Sequence, residues 1–245
     1  IQGIKKTKLP ISVHLDHGKT FEVVKRAIKL GFDSVMIDGS ILPFDANVKL
    51  TKKVVEYAHA RKVHVEGEIG VLSVVNDDGE KGKGHVYTSP EEAKEFARLT
   101  GVDSLAVSIG TNHGVNKYTG EPKIRYDILK KIEQAIPNIP IVLHGASLVQ
   151  PEYVETINAN GGRIDRAIGN EKLLKNAYKT HIAKINMDTD FRLAYTAGVR
   201  EYMTQNPDKF NPRDYGNAGI EKVAECAKFR IINICHSNDK VKNKS

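Results

Sequence analysis

Short aliphatic runs alternate with amphipathic stretches along this chain of 245 residues. Each run is rich in aliphatic or β-branched residues and is too short for a helix, which is typical of parallel strands covered on both faces. Five runs predict strands: Ile11–Leu15, Ser34–Ile37, Val63–Val65, Ser104–Val107 and Ile139–Leu143. Ile182–Asn186 is a weaker sixth run. The repeated switch between strand and helix periods predicts a parallel sheet with right-handed crossover connections.

Helices are predicted between these strands. The stretch Phe21–Leu30 places its aliphatic side chains on one face and ends at Gly31. Another helix has a complete start signal, with Ser89 as N-cap, Pro90 in the first turn and Glu92 closing a capping box. The same periodicity predicts helices at Val48–Ala60, Tyr126–Ala135 and Ile220–Ile231.

The six strand-helix units fit either an open doubly wound sheet or most of a barrel, and periodicity does not choose between them. No GxGxxG motif follows the first strand, which disfavours a dinucleotide-binding sheet. If the fold is a barrel, two further units of about 30 residues each are expected before Ile1. We predict one domain over residues 1–245, in which residues 206–245 form a C-terminal helical extension and polar tail.

Composition narrows the possible partners. No apolar run is long enough to predict a membrane span. The net charge of +7 is compatible with nucleic acid, but the lysines are scattered and are not interleaved with aromatic residues. A phosphorylated small molecule accounts for the charge equally well. The two cysteines, Cys226 and Cys235, provide no disulfide framework, so we predict a reducing, cytoplasmic setting.

An acidic residue or a histidine follows almost every predicted strand. Active sites of α/β barrels are built at the carboxyl ends of their strands, so these side chains are expected to lie close together. Glu66 and Glu68 are two residues apart and point the same way if the backbone is extended. The segments are Asp16-His17-Gly18, Asp38-Gly39-Ser40, Glu66 with Glu68, Gly110-Thr111-Asn112-His113-Gly114, His144-Gly145-Ala146-Ser147 and Asn186-Met187-Asp188-Thr189-Asp190.

Three of these segments contain a histidine: His17, His113 and His144. Three imidazoles at one end of a sheet are a ligand set that catalytic zinc uses while one position stays open for substrate. The spacing alone is not diagnostic, and each ring is also acceptable as an ordinary loop residue. The other histidines are predicted to have structural or surface roles: His14, His59, His64, His85, His181 and His236.

Glycines follow all three of these histidines. Gly114 and Gly145 lie where backbone amides can approach an anion such as phosphate, or they serve only to make tight turns. Lys117 can add positive charge to the same pocket.

Six blocks, in the same order, resemble class II fructose-bisphosphate aldolases. The resemblance spans Ile11 to the C-terminal helix and implies a zinc-dependent enzyme built on a TIM (β/α)8 barrel, with its first two units missing from this chain. The blocks are Leu15-Asp16-His17-Gly18, Met36-Ile37-Asp38-Gly39-Ser40, Glu66-Gly67-Glu68-Ile69-Gly70, Gly110 through Gly114, Leu143-His144-Gly145-Ala146-Ser147 and Asn186 through Asp190.

The resemblance implies a role for each matched residue. His17, His113 and His144 would hold the catalytic zinc, and Asp38 and Glu68 would serve a second metal position. Asp16 would be the acid/base at the C4 hydroxyl of the substrate. The dihydroxyacetone-phosphate contacts would be Gly114, Gly145, Ser147, Asn186, Asp188 and Thr189, and Arg192 would reach the other phosphate. The family also implies homodimers or larger homo-oligomers and leaves room for a monovalent cation near the phosphate.

None of the predicted strands ends in a lysine placed to form a Schiff base. A zinc-dependent aldolase needs no such lysine, because the metal stabilises the negative charge instead. One position departs from the family, since Asn76 stands where a proton-transferring glutamate is usual. Asp77, Asp78 or Glu80 can substitute for it. Fructose 1,6-bisphosphate and tagatose 1,6-bisphosphate both fit the motifs, and a non-catalytic phosphate-binding barrel is a third hypothesis, which Asn76 favours. A nucleic-acid-binding role would need a salt-dependent affinity that no motif predicts.

Overall fold

The computed structural model describes residue 7 and residues 9–70, 87–111, 124–164 and 174–240. Within this part of the chain, six parallel strands form one sheet in sequence order. The strands are β1 His14–Gly18, β2 Ser34–Ile37, β3 His64–Ile69, β4 Ser104–Val107, β5 Ile141–Leu143 and β6 Ile182–Ile185. The helices are α1 Phe21–Lys29, α2 Phe44–His59, α3 Pro90–Thr100, α4 Tyr126–Ala135, α5 Pro151–Ala159, α6 Thr189–Gln205 and α7 Pro212–Asn233. The predicted alternation of strands and helices is confirmed.

Local capping explains where the helices begin and end. The Thr20 side chain accepts a hydrogen bond from the amide of Val23 at the start of α1. At the start of α3, Ser89 Oγ accepts from the amide of Glu92 at 3.1 Å, as the start signal predicted. Gly101 ends α3 with a φ of 72°, a left-handed conformation that glycine adopts without strain.

Several predicted bounds were wrong. The first strand lies at His14–Gly18 and not at Ile11–Leu15, and the third extends to Ile69. Polar residues interrupt both strands, among them Asp16 in the first and Glu66 and Glu68 in the third, so an apolar run does not mark their full length. The fifth strand begins only after Pro140, which has no amide hydrogen to donate to a neighbouring strand.

The sheet curls until its two edge strands approach each other. Lys184 Nζ on β6 lies 3.2 Å from His14 Nε2 on β1. One step further along, Asn186 Nδ2 donates to Asp16 Oδ1 at 2.9 Å. The described strands therefore form a parallel half-barrel, and closure by two more strands stays a prediction.

Two apolar cores surround this curled sheet. The larger one packs the sheet against α1 to α4 and includes Val24, Val54, Phe96 and Ile132. The smaller one joins α5, α6 and α7 through Tyr153, Val154, Ile157, Leu193, Ala197 and Cys226. Among the described helices, including the 22 residues of α7, none has both the length and the apolar character that crossing a membrane requires.

Candidate metal and substrate site

Acidic and imidazole side chains meet inside the curl, near the carboxyl ends of the strands. Asp16 and His17 come from β1, Asp38 follows β2, Glu68 belongs to β3 and His144 follows β5. Asp16, His17, Glu66 and Glu68 were predicted to follow their strands, but the strands extend through them. These residues nevertheless lie close together in the described structure, as predicted.

An irregular backbone turns His17 toward His144 and Asp38. The register of β1 with β2 shifts between Leu15 and Gly18, and His17 adopts a φ of 47°. Such bulges redirect side chains beside active sites, and histidine tolerates a positive φ better than most residues. The rings of His17 and His144 consequently meet edge to face, with their centroids 4.7 Å apart.

Asp38 holds the outer side of the His17 ring. Its Oδ2 lies 2.9 Å from His17 Nδ1 and also accepts a hydrogen bond from Lys19, while its Oδ1 accepts from Ser40 Oγ at 2.7 Å. Burial alone would raise the pKa of Asp38, but the hydrogen bonds from His17, Lys19 and Ser40 outweigh it and lower the pKa. Asp38 is therefore held as a buried carboxylate.

His144 lies between two buried carboxylates. Its Nε2 is 2.9 Å from Glu66 Oε1, and its Nδ1 is 3.3 Å from Glu68 Oε2. Burial would lower the pKa of His144, but Glu66 and Glu68 outweigh it and raise the pKa to about 9. The surroundings of this ring thus favour positive charge.

Lys184 supplies a positive charge beside Glu66 and was not predicted from the sequence. Its Nζ donates to Glu66 Oε2 at 2.7 Å from within β6. The alternation of side chains along a strand was the available signal, because Lys184 is two residues before Asn186 and faces the same way. The Lys184 amine also lies 3.2 Å from His14 Nε2, so it links Glu66 on β3 to His14 on β1.

The donor atoms fit a divalent metal. Two sets of three residues, Asp16 with His17 and His144, and His17 with Asp38 and Glu68, each place their ligand atoms within 4.8 Å of one another. Imidazole nitrogens and carboxylate oxygens are ligands that zinc accepts. His113 lies outside the described residues, so the described part of the chain contributes two of the three predicted histidines.

Comparison with known proteins identifies the family. A family model described as "Fructose-bisphosphate aldolase class-II" matches residues 1–240. The chain belongs to the class II fructose-bisphosphate aldolase family. The resemblance that the six sequence blocks indicated is thereby confirmed. The chain is an aldolase of a metal-dependent family.

Relatives of the chain in this family come from distant organisms. A protein of Treponema pallidum named fructose-bisphosphate aldolase is 50% identical over 222 residues, which cover 84% of this chain and 67% of that protein. One from Giardia intestinalis with the same name is 45% identical, covering 90% of this chain and 68% of its own length. Among solved structures, the YdjI aldolase from Escherichia coli K12 aligns with a TM-score of 0.74 and 29% identity, over 98% of this chain and 75% of that one.

The residues expected to bind the substrate fall into three groups. Gly145, with a φ of 62°, and the buried Ser147 follow His144 directly, and Asn186 Nδ2 lies 3.1 Å from His144 Nε2. Thr189 begins α6, where Asp188 and Arg192 pair with each other at 2.7 Å on the exposed surface. Gly114, Lys117 and Asn76 lie outside the described residues. The hydrogen bond from Asn186 to Asp16 was not anticipated from the sequence.

Proposed function

We propose that this chain catalyses the reversible aldol cleavage of fructose 1,6-bisphosphate to dihydroxyacetone phosphate and glyceraldehyde 3-phosphate, with zinc as its metal. The observation that carries the proposal is the position of Asp16. Its carboxylate lies 3.9 Å from His17 Nε2, is about half exposed, and is held by Asn186 at 2.9 Å. An accessible acid/base beside a metal site is what this reaction requires.

His17, His113 and His144 would hold the metal, and Asp38 and Glu68 would offer a second position. When bound, zinc would supply a Lewis acid that stabilises the negative charge left on the carbonyl oxygen of the dihydroxyacetone-phosphate half. Glu66 holds the His144 ring from its far side, as the outer partners of metal-bound histidines do.

Asp16 would move the proton of the substrate C4 hydroxyl. In cleavage, its carboxylate accepts that proton while the bond between C3 and C4 breaks, and the electron pair of this bond stays on C3 of the dihydroxyacetone-phosphate half. That carbon then accepts a proton from the acid that replaces the glutamate usual at Asn76, for which Asp77, Asp78 and Glu80 are the candidates. In condensation, the protonated Asp16 returns the proton to the new hydroxyl. The hydrogen bond from Asn186 fixes one oxygen of the carboxylate, which keeps the other available to the substrate.

The phosphate groups would position the reacting carbons. We propose that Gly145, Ser147, Asn186, Asp188 and Thr189 contact the dihydroxyacetone-phosphate half together with Gly114 and Lys117, and that Arg192 serves the second phosphate. Binding energy from both ends of the substrate can then align the reacting bond. The monovalent cation, the homo-oligomer and the cytoplasmic location stay predictions.

A cleavage assay tests this proposal with fructose 1,6-bisphosphate and tagatose 1,6-bisphosphate as parallel substrates. Each is assayed before chelation, after chelation and after zinc is restored. We expect cleavage of the fructose substrate to disappear with the metal and to return with zinc. Preference for the tagatose substrate would change the substrate assignment. Activity that survives complete zinc removal would refute the mechanism, and zinc binding without any turnover would support the non-catalytic hypothesis.

A further inference from the structure

The segment that follows His144 has a strained backbone. Ser147, Leu148 and Val149 are buried, and Val149 adopts a φ of 50°. A positive φ is rare for a β-branched residue, because its side chain crowds the backbone. Such conformations persist only where the surrounding structure imposes them, and they are concentrated at functional sites.

Asp190 accepts hydrogen bonds from the backbone of this segment. It is fully buried in the first turn of α6, and its two oxygens accept hydrogen bonds from consecutive amides. Oδ2 accepts from Leu148 at 2.8 Å and Oδ1 accepts from Val149 at 2.7 Å. One carboxylate therefore ties α6 to the backbone directly after Ser147.

Arg230 on α7 supplies the opposite charge. Its Nη2 lies 2.7 Å from Asp190 Oδ2, and both side chains are almost completely buried. Desolvation makes a lone buried carboxylate unfavourable, so Asp190 depends on this partner. The C-terminal helix thereby contacts the site through one ion pair, although it contributes none of the proposed ligands.

We propose that Asp190, balanced by Arg230, is a positioning residue that holds residues 145–149 so that Gly145 and Ser147 face the substrate phosphate. The inference rests on the proposed function for the identity of that phosphate. His144 is held separately by Glu66 and Glu68, so the loss of Asp190 should affect phosphate binding and leave metal binding largely intact.

The test compares zinc-loaded wild-type protein with Asp190→Asn, Arg230→Met and Arg230→Lys. Asn has the shape of Asp but presents an N–H group to one of the two amides. The exposed Lys228 on the same helix provides the matched control, Lys228→Met. Three quantities are measured: the Kd for dihydroxyacetone phosphate by calorimetry, the zinc affinity by chelator competition, and hydrogen exchange of the Leu148 and Val149 amides.

In Asp190→Asn we expect the Kd for dihydroxyacetone phosphate to rise and amide exchange to accelerate, each by about tenfold or more, while zinc affinity changes by less than about threefold. Arg230→Met should behave similarly, and Arg230→Lys should recover much of the loss because it keeps the charge. Lys228→Met should match the wild type. Unchanged exchange in Asp190→Asn would overturn the inference, and so would a parallel loss of zinc and phosphate binding. If wild-type protein neither binds nor cleaves its proposed ligands, the proposed function fails, and the exchange comparison still decides whether Asp190 holds the segment.

Discussion

Asp16 has its ligand atom within 4.8 Å of those of His17 and His144, but the proposed zinc ligands are imidazoles, so its role as acid/base can be tested separately from zinc binding. In Asp16→Asn, His17 and His144 stay in place, but the group that accepts the C4 proton is lost. We expect kcat to fall by about 10²- to 10⁴-fold while zinc content stays unchanged. Steady-state cleavage and metal analysis on the same preparation measure both quantities. Asp45→Asn, at an exposed aspartate of α2, is the control, and an unchanged kcat in Asp16→Asn would remove Asp16 from the mechanism.

Lys184 pairs with Glu66, which in turn contacts the proposed zinc ligand His144. In Lys184→Met the buried Glu66 loses its cation and interacts with the His144 ring without its counter-charge. Outer partners of this kind fix the orientation of a ligand ring, so we expect zinc affinity to fall by about 10- to 100-fold. Competition with a chromophoric chelator measures it, with Lys130→Met at an exposed lysine of α4 as the control. Wild-type zinc affinity in Lys184→Met would mean that Glu66 orients His144 without help from the lysine.

At the scale of helices, α6 and α7 pack closely where glycine allows it. A Cβ added at Gly198 would lie 2.5 Å from the backbone oxygen of Ala218, whereas one at Gly216 would meet nothing nearer than the Tyr195 hydroxyl at 3.7 Å. Overpacking typically costs about 1–3 kcal/mol, which exceeds the gain of up to about 1 kcal/mol from replacing a helical glycine by alanine. Gly198→Ala should therefore lower the free energy of unfolding in urea, and Gly216→Ala should raise it slightly. Equal effects of the two substitutions would contradict this account of the helix contact.

Sequence patterns located the elements well where local chemistry sets them. The start of α3 depends on Ser89 and Pro90, and both could be read directly. The start of α7 was missed by eight residues, from Ile220 to Pro212, although Asn211 accepts from the amide of Arg213 as an N-cap. The first turns of α7 pack through small residues, so they have no apolar stripe to reveal them.

The order of the strands was enough to predict which residues meet at the carboxyl edge of the sheet. His17, Asp38, Glu68 and His144 lie together because parallel strands end at the same edge. The pairs Lys184 with Glu66 and Arg230 with Asp190 join residues far apart in the chain, and only the curl of the sheet and the docking of α7 bring them into contact. Periodicity within one element indicates which way a side chain faces, but not the distant residue with which it pairs.

At the scale of the whole molecule, the curl of the sheet creates the site. Asn186 and Lys184 lie on one edge strand or directly after it, while Asp16 and His14 lie on the other. The chain has a net charge of +7, yet buried carboxylates dominate the interior around His17 and His144. That local charge is suited to a cation, and the metal is therefore expected to link elements from both edges of the sheet.

Metal binding should consequently stabilise the whole fold. A ligand that binds only the folded state raises the free energy of unfolding by about 4 kcal/mol at a thousandfold excess over its Kd. In chains of this length, each kcal/mol raises Tm by about 2–4 °C. We expect Tm to rise by about 8–16 °C when chelated protein is reloaded with zinc. His144→Ala should abolish most of that shift, whereas Asp16→Asn should keep most of it. The shift within each variant is the measured quantity, since His144→Ala also removes one partner of the buried Glu66 carboxylate and lowers Tm on its own. A full zinc shift in His144→Ala would show that the metal binds elsewhere.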